Sequence, residues 1–578
     1  MKKPIILAFL AAVLLPALAV RAQQVAVEEH TLANGLKLLM VPKKGDPNVA
    51  AGWVAKVGSV NERPGITGLS HLFEHMMFKG THTIGTTDIT KELGLIEKMD
   101  SVKAEIRKEE QSQLAQLRLG EISDLTDPKN RTAHHNELLQ QMAQLETEAK
   151  ALIVPNEFDK VYANAGASGM NAGTTEDFTV YFINVPANKL ELWFWMESDR
   201  LLNPVFREFY SERDVVAEER RMRTDSTPTG KFEEEFNALF WTASPYSWPV
   251  IGWPSDLDGL TREEAAAYFA LNYAPNNLTA CLVGDFDPAR AKALADRYFG
   301  RLKRYPQPQP PLRTREVEQE AEKRMTAYAE TNPQVEIRYH TVADGHADEP
   351  ALVVLGSLLS GRTGRLYKSL VLDQKIANSA SAGQNGMKWE GLFYLEGVAK
   401  PGNAPEQVEK ALYQNIEVLQ KEKVSDRELQ KVKNQFAADN FRRLQNNFAL
   451  MLQLLIADCY RGWPSLNEDP KRIAAVIPDD IQRVANKYFK PENRTVALYY
   501  TKKSSGKGED PLLSRLSDED KAEIRQLQGM LAKMTPDQIR AFSGSFEAQA
   551  NSFPPEKKDL AEAIRKLLQD KILKDGDK

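Results

Sequence analysis

The sequence predicts an α+β protein of two homologous α+β domains, each a sheet packed with helices, the first with an inserted helical hairpin and the second followed by a helical C-terminal tail. Three observations predict it: an internal match at constant spacing, a seam of apolar residues that falls outside the match, and a polar, helix-forming end.

The match comes first. LTREEAAAYFALNYAPNNLT (260–279) lies over VIPDDIQRVANKYFKPENRT (476–495), so that Pro275, Asn277 and Thr279 stand over Pro491, Asn493 and Thr495. Each copy reads as a helix, a Pro-Asn turn and a β-strand, TACLVG in one and TVALYY in the other. The starts correspond as well, PNVAAGWVAKVGSVNERPG from Pro47 with PQVEIRYHTVADGHADEPA from Pro333. Repetition of a whole supersecondary unit means two copies of one domain. Between them, RYPQPQPPLR has the composition of a stiff, extended connector. These signals divide the chain into an N-terminal domain over 23–303, a linker over 304–315, a second domain over 316–503 and a charged helical tail over 504–578. A length of 578 residues, 42% hydrophobic, suits several folding units that each bury a core.

Residues of about 95–155 belong to neither copy. Met99, Val102, Ile106, Leu114 and Leu117 precede a break at Thr126-Asp127-Pro128, and Leu138, Met142, Leu145, Ala149 and Leu152 come after it in alternating steps of four and three. Two such arms about a turn predict an antiparallel helical hairpin with its own apolar seam, each arm about 30 Å long. In the tail, Leu516, Ile524, Leu527, Leu531, Leu560, Ile564 and Leu567 have amphipathic-helix spacing.

The chain opens with Lys2-Lys3, an apolar run from Ile5 to Val20 and a small-x-small site at Val20-Arg21-Ala22. This is the pattern of a signal peptide over 1–22, and it predicts a periplasmic or secreted protein starting near Gln23. No later apolar run is long enough for a membrane span. Cys281 and Cys459 lie in apolar segments and are expected as buried free thiols. A net charge of −5 offers no basic face for nucleic acid.

The chemistry concentrates in GLSHLFEHMMFKGT, where His71, Glu74 and His75 have the spacing H-x-x-E-H. On a helix, residues four apart share a face, so both imidazoles can meet one cation while Glu74 points beside it. Phe73, Met76, Met77 and Phe78 make the helix apolar, and buried imidazoles beside a carboxylate require a partner. A catalytic zinc takes three protein ligands and keeps a position open for water. SERDVVAEERRMRTD offers Glu212, Glu218 and Glu219; the first and last share a helical face and Glu218 points about 100° away. The local pattern does not choose among them.

H-x-x-E-H followed by an E-x-x-x-x-x-x-E helix resembles the pitrilysin/insulinase family of zinc peptidases, the inverzincins. The resemblance extends over most of residues 30–502, through NGLKLLMVPKKGDPNVAAGWVAKVGSVNERPGITGLSHLFEHMMFKGT, GMNAGTTEDFTVYFINVP, ESDRLLNP and RDVVAEERRMR to a second domain without the motif. It implies one zinc per chain on His71, His75 and Glu219, Glu74 as general base, Glu212 as the carboxylate that orients a ligand imidazole, and Asn171 and Ala172 on an edge strand that pairs with substrate backbone. His75 and Glu219 are 144 positions apart, about twice the family's usual gap, and the excess is about the length of the hairpin. The positions that correspond to His71, Glu74 and His75 in the second copy are Ser357, Ser360 and Gly361, which cannot hold zinc. Arg362, Arg365 and Tyr367 are candidates for substrate contacts from that domain, and Asn378 stands where many relatives have tyrosine.

The resemblance implies a zinc metalloendopeptidase acting on short or unfolded peptides. Because larger members enclose substrate between two such two-domain halves, it also implies a homodimer or a heterodimer with a related chain. The alternative is a non-catalytic assembly partner, which would have no need to retain His71, Glu74, His75 and Glu219 together.

Overall fold

A computed structural model describes residues 24–125, 127–307, 309–502, 516–531, 534, 536–550, 554 and 557–576. Residues 1–22, expected as a signal peptide, and the start of the tail lie outside the described residues. The chain divides after residue 500 into two compact units.

The larger unit contains two sheets. The first has the order β1-β2-β6-β3-β5-β4, from β1 (Glu28–Thr31), β2 (Lys37–Pro42), β3 (Asn48–Ala55), β4 (Ser168–Thr174), β5 (Thr179–Pro186) and β6 (Leu278–Gly284). The second has the order β7-β11-β8-β10-β9, from β7 (Lys323–Ala329), β8 (Gln334–Thr341), β9 (Ala377–Gly386), β10 (Gly391–Ala399) and β11 (Arg494–Thr501). With β1 set aside, the two orders are the same, as a duplicated domain requires. Side chains repeat too: the amide of Asn277 donates to Asn272 O at 2.8 Å, and that of Asn493, at the same place in the repeat, donates to Tyr488 O at 2.9 Å.

β3 from Val49 onward and the whole of β6 are continuously buried because the first sheet is covered on both faces. One face carries helices of its own half. The other is covered by the helix Asn447–Tyr460 from the second half, whose Leu450, Met451, Leu454 and Leu455 pack on Leu39, Val41, Ala50, Cys281 and Val283. The approach is close enough that a Cβ at Gly52 would lie 2.8 Å from Met451 Sδ. The exchange is reciprocal. The helix α7 (Gly230–Phe240) of the first half sends Phe236 onto Ala327, Ala497 and Tyr499 of the second sheet, and Ala497 and Tyr499 are the repeat equivalents of Cys281 and Val283.

A polar contact closes each exchanged helix. Asp458, buried, accepts from Lys37 Nζ at 2.7 Å, Lys56 Nζ at 2.9 Å and Thr279 Oγ1 at 2.7 Å. Lys323, the repeat equivalent of Lys37, donates to Leu239 O, Phe240 O and Thr242 Oγ1 at 2.8–3.1 Å, where a cation suits the carbonyl end of α7. Burial would raise the Asp458 carboxyl, but the two lysines and Thr279 outweigh it and bring it down to about 2. Both cysteines are free and buried in this interface, with burial pushing the Cys459 thiol up to about 12.

The remaining helices of the first half are α1 (Leu69–Met76), α2 (Ile89–Leu119), α3 (Ala133–Lys150), α4 (Glu157–Asn164), α5 (Leu190–Leu202) and α6 (Phe209–Arg220). Helices α2 and α3 form the hairpin, which begins at Ile89 rather than near 95. Its arms are unequal, 31 and 18 residues, or about 46 Å and 27 Å. Nor is its seam self-contained. Met99, Val102, Ile106, Leu138, Met142 and Leu145 are continuous with the core of the first half, while Leu114 and Leu119 near the tip are exposed. The root is pinned by a buried Arg207–Glu92 pair and by Tyr210, whose hydroxyl donates to Asp100 at 3.1 Å. The proline-rich connector is packed as well: Tyr305 N donates to Asn276 Oδ1 at 3.2 Å, the Gln309 amide donates to Leu271 O at 2.5 Å, and Leu312 packs on the cluster of Phe240, Trp241 and Tyr246.

The smaller unit contains the helices Asp518–Leu531, Pro536–Ala550 and Lys558–Gly576, with Leu516, Ile524, Leu531, Ile539, Leu560 and Leu568 buried among them. No helix among the described residues is long and apolar enough to cross a membrane.

Asp458→Asn should cost about 3 kcal/mol in urea unfolding at pH 7, because two partly buried lysines lose their counter-charge. A carboxyl held below its unfolded pKa contributes stability that is complete above about pH 4 and is lost as pH falls through about 2. The difference from wild type should therefore shrink by roughly half at pH 3. A difference below about 0.5 kcal/mol at pH 7 would show that the contact does not hold the halves together.

Candidate metal centre

Helix α1 starts at Gly68, whose φ of +88° and close approach to Ile251 O, 2.5 Å from where a Cβ would stand, call for glycine. The buried carboxylate of Glu62 accepts the Gly68 and Ser70 N–H groups at 2.8 and 2.6 Å, capping the first turn. Burial pushes that carboxyl up to about 8 against the lowering effect of these bonds. Leu69, Leu72, Phe73 and Met76 face the core, and Tyr181 of β5 donates its hydroxyl to Phe73 O at 3.1 Å. The orientation of α1 is thereby fixed, and with it the face that bears His71 and His75.

The two imidazoles stand with ring centroids 4.9 Å apart. Glu219, on the last turn of α6, brings Oε2 to 3.7 Å from His71 Nε2 and 3.3 Å from His75 Nε2. Glu212, two turns earlier on the same face, accepts from His75 Nδ1 at 3.0 Å and from Lys79 Nζ at 2.5 Å. Glu218 points outward and pairs with Arg221 on the exposed surface. Glu74 lies beside the cluster, where Thr174 at the end of β4 donates its hydroxyl to Glu74 Oε2 at 2.7 Å.

Burial, then the neighbouring His75 and Arg223, push His71 down to about 3, so it is neutral. Burial acts to lower His75 too, but the Glu212 bond and the charges of Glu212, Glu219 and Glu74 hold it above the ordinary range. Glu212 itself is held below the usual carboxylate range, since His75 and Lys79 outweigh its burial. In its neutral form, with the Nδ1 proton committed to Glu212, His75 would present the Nε2 lone pair to a cation in the cluster.

Among the described residues, His71, His75 and Glu219 form the only group of three such side chains with ligand atoms all within 4.8 Å of one another. A tetrahedral zinc with bonds of about 2.0–2.1 Å holds its ligand atoms about 3.4 Å apart. The observed 3.3 and 3.7 Å suit that spacing, and two nitrogens with one carboxylate are a donor set zinc takes. The residues fit the ion.

β4 is the free edge of the first sheet, beside α1. Asn171 and Ala172 lie on it, half-exposed to exposed, and the Asn171 side chain accepts the Ala172 N–H at 2.9 Å. In the second half, Ser360, the counterpart of Glu74, donates to Ala382 O at 2.6 Å and accepts from Ala382 N at 2.7 Å. The edge strand β9 is thus closed by a serine at the place where the first half presents a carboxylate. Arg365 is engaged by both oxygens of Glu428, Arg362 is exposed, Tyr367 begins a π-helical turn, and Asn378 donates to Ala399 O at 3.4 Å.

Residues 38–117 match the family description insulinase (peptidase family M16), and residues 259–436 match the peptidase M16 inactive domain. Both matched segments are similar to domains of peptidase family M16, one in each half of the chain. It is 27% identical over 481 residues to the zinc protease PqqE of Helicobacter pylori, covering 82% of this chain and 92% of that protein. Its fold matches the crystal structure of a protease from Helicobacter pylori with a TM-score of 0.66 and 24% identity, over 82% of this chain and 99% of that one. It also matches the periplasmic protease PqqL from Escherichia coli with a TM-score of 0.59 and 16% identity, over 82% of this chain and 47% of that one. The α+β fold expected from the repeat is also that of a putative M16-like peptidase from Alicyclobacillus acidocaldarius, matched with a TM-score of 0.61 and 14% identity over 83% of this chain and 100% of that one.

Glu62, Lys79, Thr174 and Arg223, which donates to Glu219 Oε1 at 2.7 Å, were not singled out by sequence reasoning. Lys79 had a weak signal in standing four residues after His75, although α1 ends at Met76 and Lys79 reaches Glu212 from the turn beyond it.

Glu219→Ala should abolish stoichiometric zinc binding, measured by elemental analysis of the purified protein, and Glu218→Ala should leave it intact. The reverse outcome would mean that the carboxylate assignment is wrong by one residue. Glu212→Gln should keep zinc at about 10- to 100-fold lower affinity.

Proposed function

We propose that the protein is a zinc metalloendopeptidase that hydrolyses short or unfolded peptides, with one zinc per chain on His71, His75 and Glu219. The observation that carries this reading is the convergence of those three side chains, with Glu74 beside them on α1 and Glu212 behind His75. Kinship with chains named zinc proteases supports it.

When bound, zinc would supply Lewis acidity that acidifies a water and polarises the scissile carbonyl. Glu74 takes the proton of the attacking water on its carboxylate and delivers it to the departing amine. Glu212 keeps the Nδ1 proton of His75 and so fixes its tautomer. Substrate would lie extended along β4 as an added strand, displacing the Asn171 amide from the Ala172 N–H. Backbone pairing reads little side-chain identity, which favours broad specificity for unfolded segments.

The start of the chain supports export to the periplasm. This chain spans about half of PqqL, which supports a second chain completing the chamber, either another copy or a related peptidase-like protein.

Glu74→Gln should retain a full complement of zinc while kcat on an unfolded peptide falls by about 10²- to 10⁴-fold; cleavage at the wild-type rate would exclude Glu74 as the base. Turnover per molecule should also fall on dilution below the dissociation constant of the assembly. A monomer by light scattering, with turnover constant on dilution and no gain from a second chain, would show that one chain suffices.

A further inference from the structure

The carboxylate of Glu74 does not choose its own position. Its Oε2 accepts the Thr174 hydroxyl at 2.7 Å, and Thr174 ends the edge strand on which substrate is proposed to pair. The turn after Thr174 is held from several sides. Thr175 N donates to Phe178 O at 2.9 Å, and the Thr175 hydroxyl accepts the Asp177 and Phe178 N–H groups at 3.2 Å. Thr175 O and Glu176 O accept the N–H groups of Ser59 and Val60 at 3.3 and 2.9 Å. Asp177, buried, accepts the Tyr246 hydroxyl at 2.7 Å and the backbone N–H of Lys388, in the β9–β10 turn of the second half, at 3.0 Å. A hydroxyl mounted on a turn this fully determined orients the flexible glutamate, and the reverse does not hold.

We propose that Thr174 is a positioning residue that fixes the Glu74 carboxylate by one hydrogen bond, tying the orientation of the base to the register of the substrate strand. The proposal rests on the peptidase reading. Asp177 extends the tie to the second half, whose β9–β10 turn anchors the residues after Thr174. The half that has Ser357, Ser360 and Gly361 in place of the motif thus helps to hold the base of the other.

The test compares Thr174→Val, which keeps the shape and removes the donor, with Thr174→Ser, which keeps the donor; Thr174→Ala is the second donor-free variant should valine not fold. Each is assayed for zinc content, for kcat and KM on a fluorogenic unfolded peptide, and by crystallography of the metal-free and zinc-loaded protein. Thr174→Val should keep its zinc and lose about 10- to 100-fold in kcat with little change in KM, and its Glu74 carboxylate should shift by about 1 Å or more or split into two rotamers. Thr174→Ser should restore both kcat and the single Glu74 position. An unmoved Glu74 in Thr174→Val, or a serine variant as slow as valine, would overturn the proposal. If the wild-type protein cleaves no peptide, the peptidase reading fails, and the crystallographic comparison alone decides whether Thr174 positions Glu74.

Discussion

Each half of this protein covers the sheet of the other with one of its own helices, and the candidate metal centre depends on that exchange. Helix α1 is seated on the first sheet, but Glu219 reaches it from α6, which runs through the π-helical residues Arg221–Asp225 into α7. Arg220 fastens the two together, donating to both oxygens of Glu234 on α7 at 2.5 and 2.6 Å and to Gly252 O at 3.0 Å. Because α7 packs on the second sheet and Lys323 closes its end, the second half sets where the carboxylate arrives. The half that lacks the H-x-x-E-H motif is therefore a mechanical part of the site, and Asp458 makes the matching contact in the opposite direction.

Around the cluster, charge is distributed so that each group has a defined partner. Three carboxylates stand within reach of two imidazoles, an arrangement that repulsion alone would disfavour. Glu212 shares its two oxygens between His75 and Lys79, Glu219 gives one to Arg223 and turns the other to both imidazoles, and Glu74 is held by a neutral hydroxyl. His71 has no such second partner: among the described residues nothing hydrogen-bonds its buried Nδ1. The result is an inward-facing set of two nitrogens and one oxygen suited to a cation.

The parts of this arrangement that are periodic could be read from the sequence. The four-residue step from His71 to His75, the shared face of Glu212 and Glu219, and the repeated Pro-Asn-Thr turn are consequences of local geometry. The choice of Glu219 over Glu218 was not local; it came from resemblance, and in the structure Glu218 faces solvent with Arg221. Glu62 and Thr174 were illegible because each meets its partner only after folding, one across a loop and the other 100 residues away along the chain. The hairpin seam was legible as apolar spacing, but spacing does not say what covers it, and here much of the cover is the core of the first half. The helix exchange was hidden for the same reason, since an apolar helix face carries no record of which sheet it will meet.

X-ray absorption at the zinc K-edge, on protein purified without added metal, tests the central claim most directly. The account predicts about one zinc per chain with four nitrogen or oxygen neighbours at about 2.0–2.1 Å, two of them imidazole, and no sulfur. A sulfur shell, an all-oxygen octahedral shell, or zinc well below one equivalent that cannot be restored by reconstitution would contradict it.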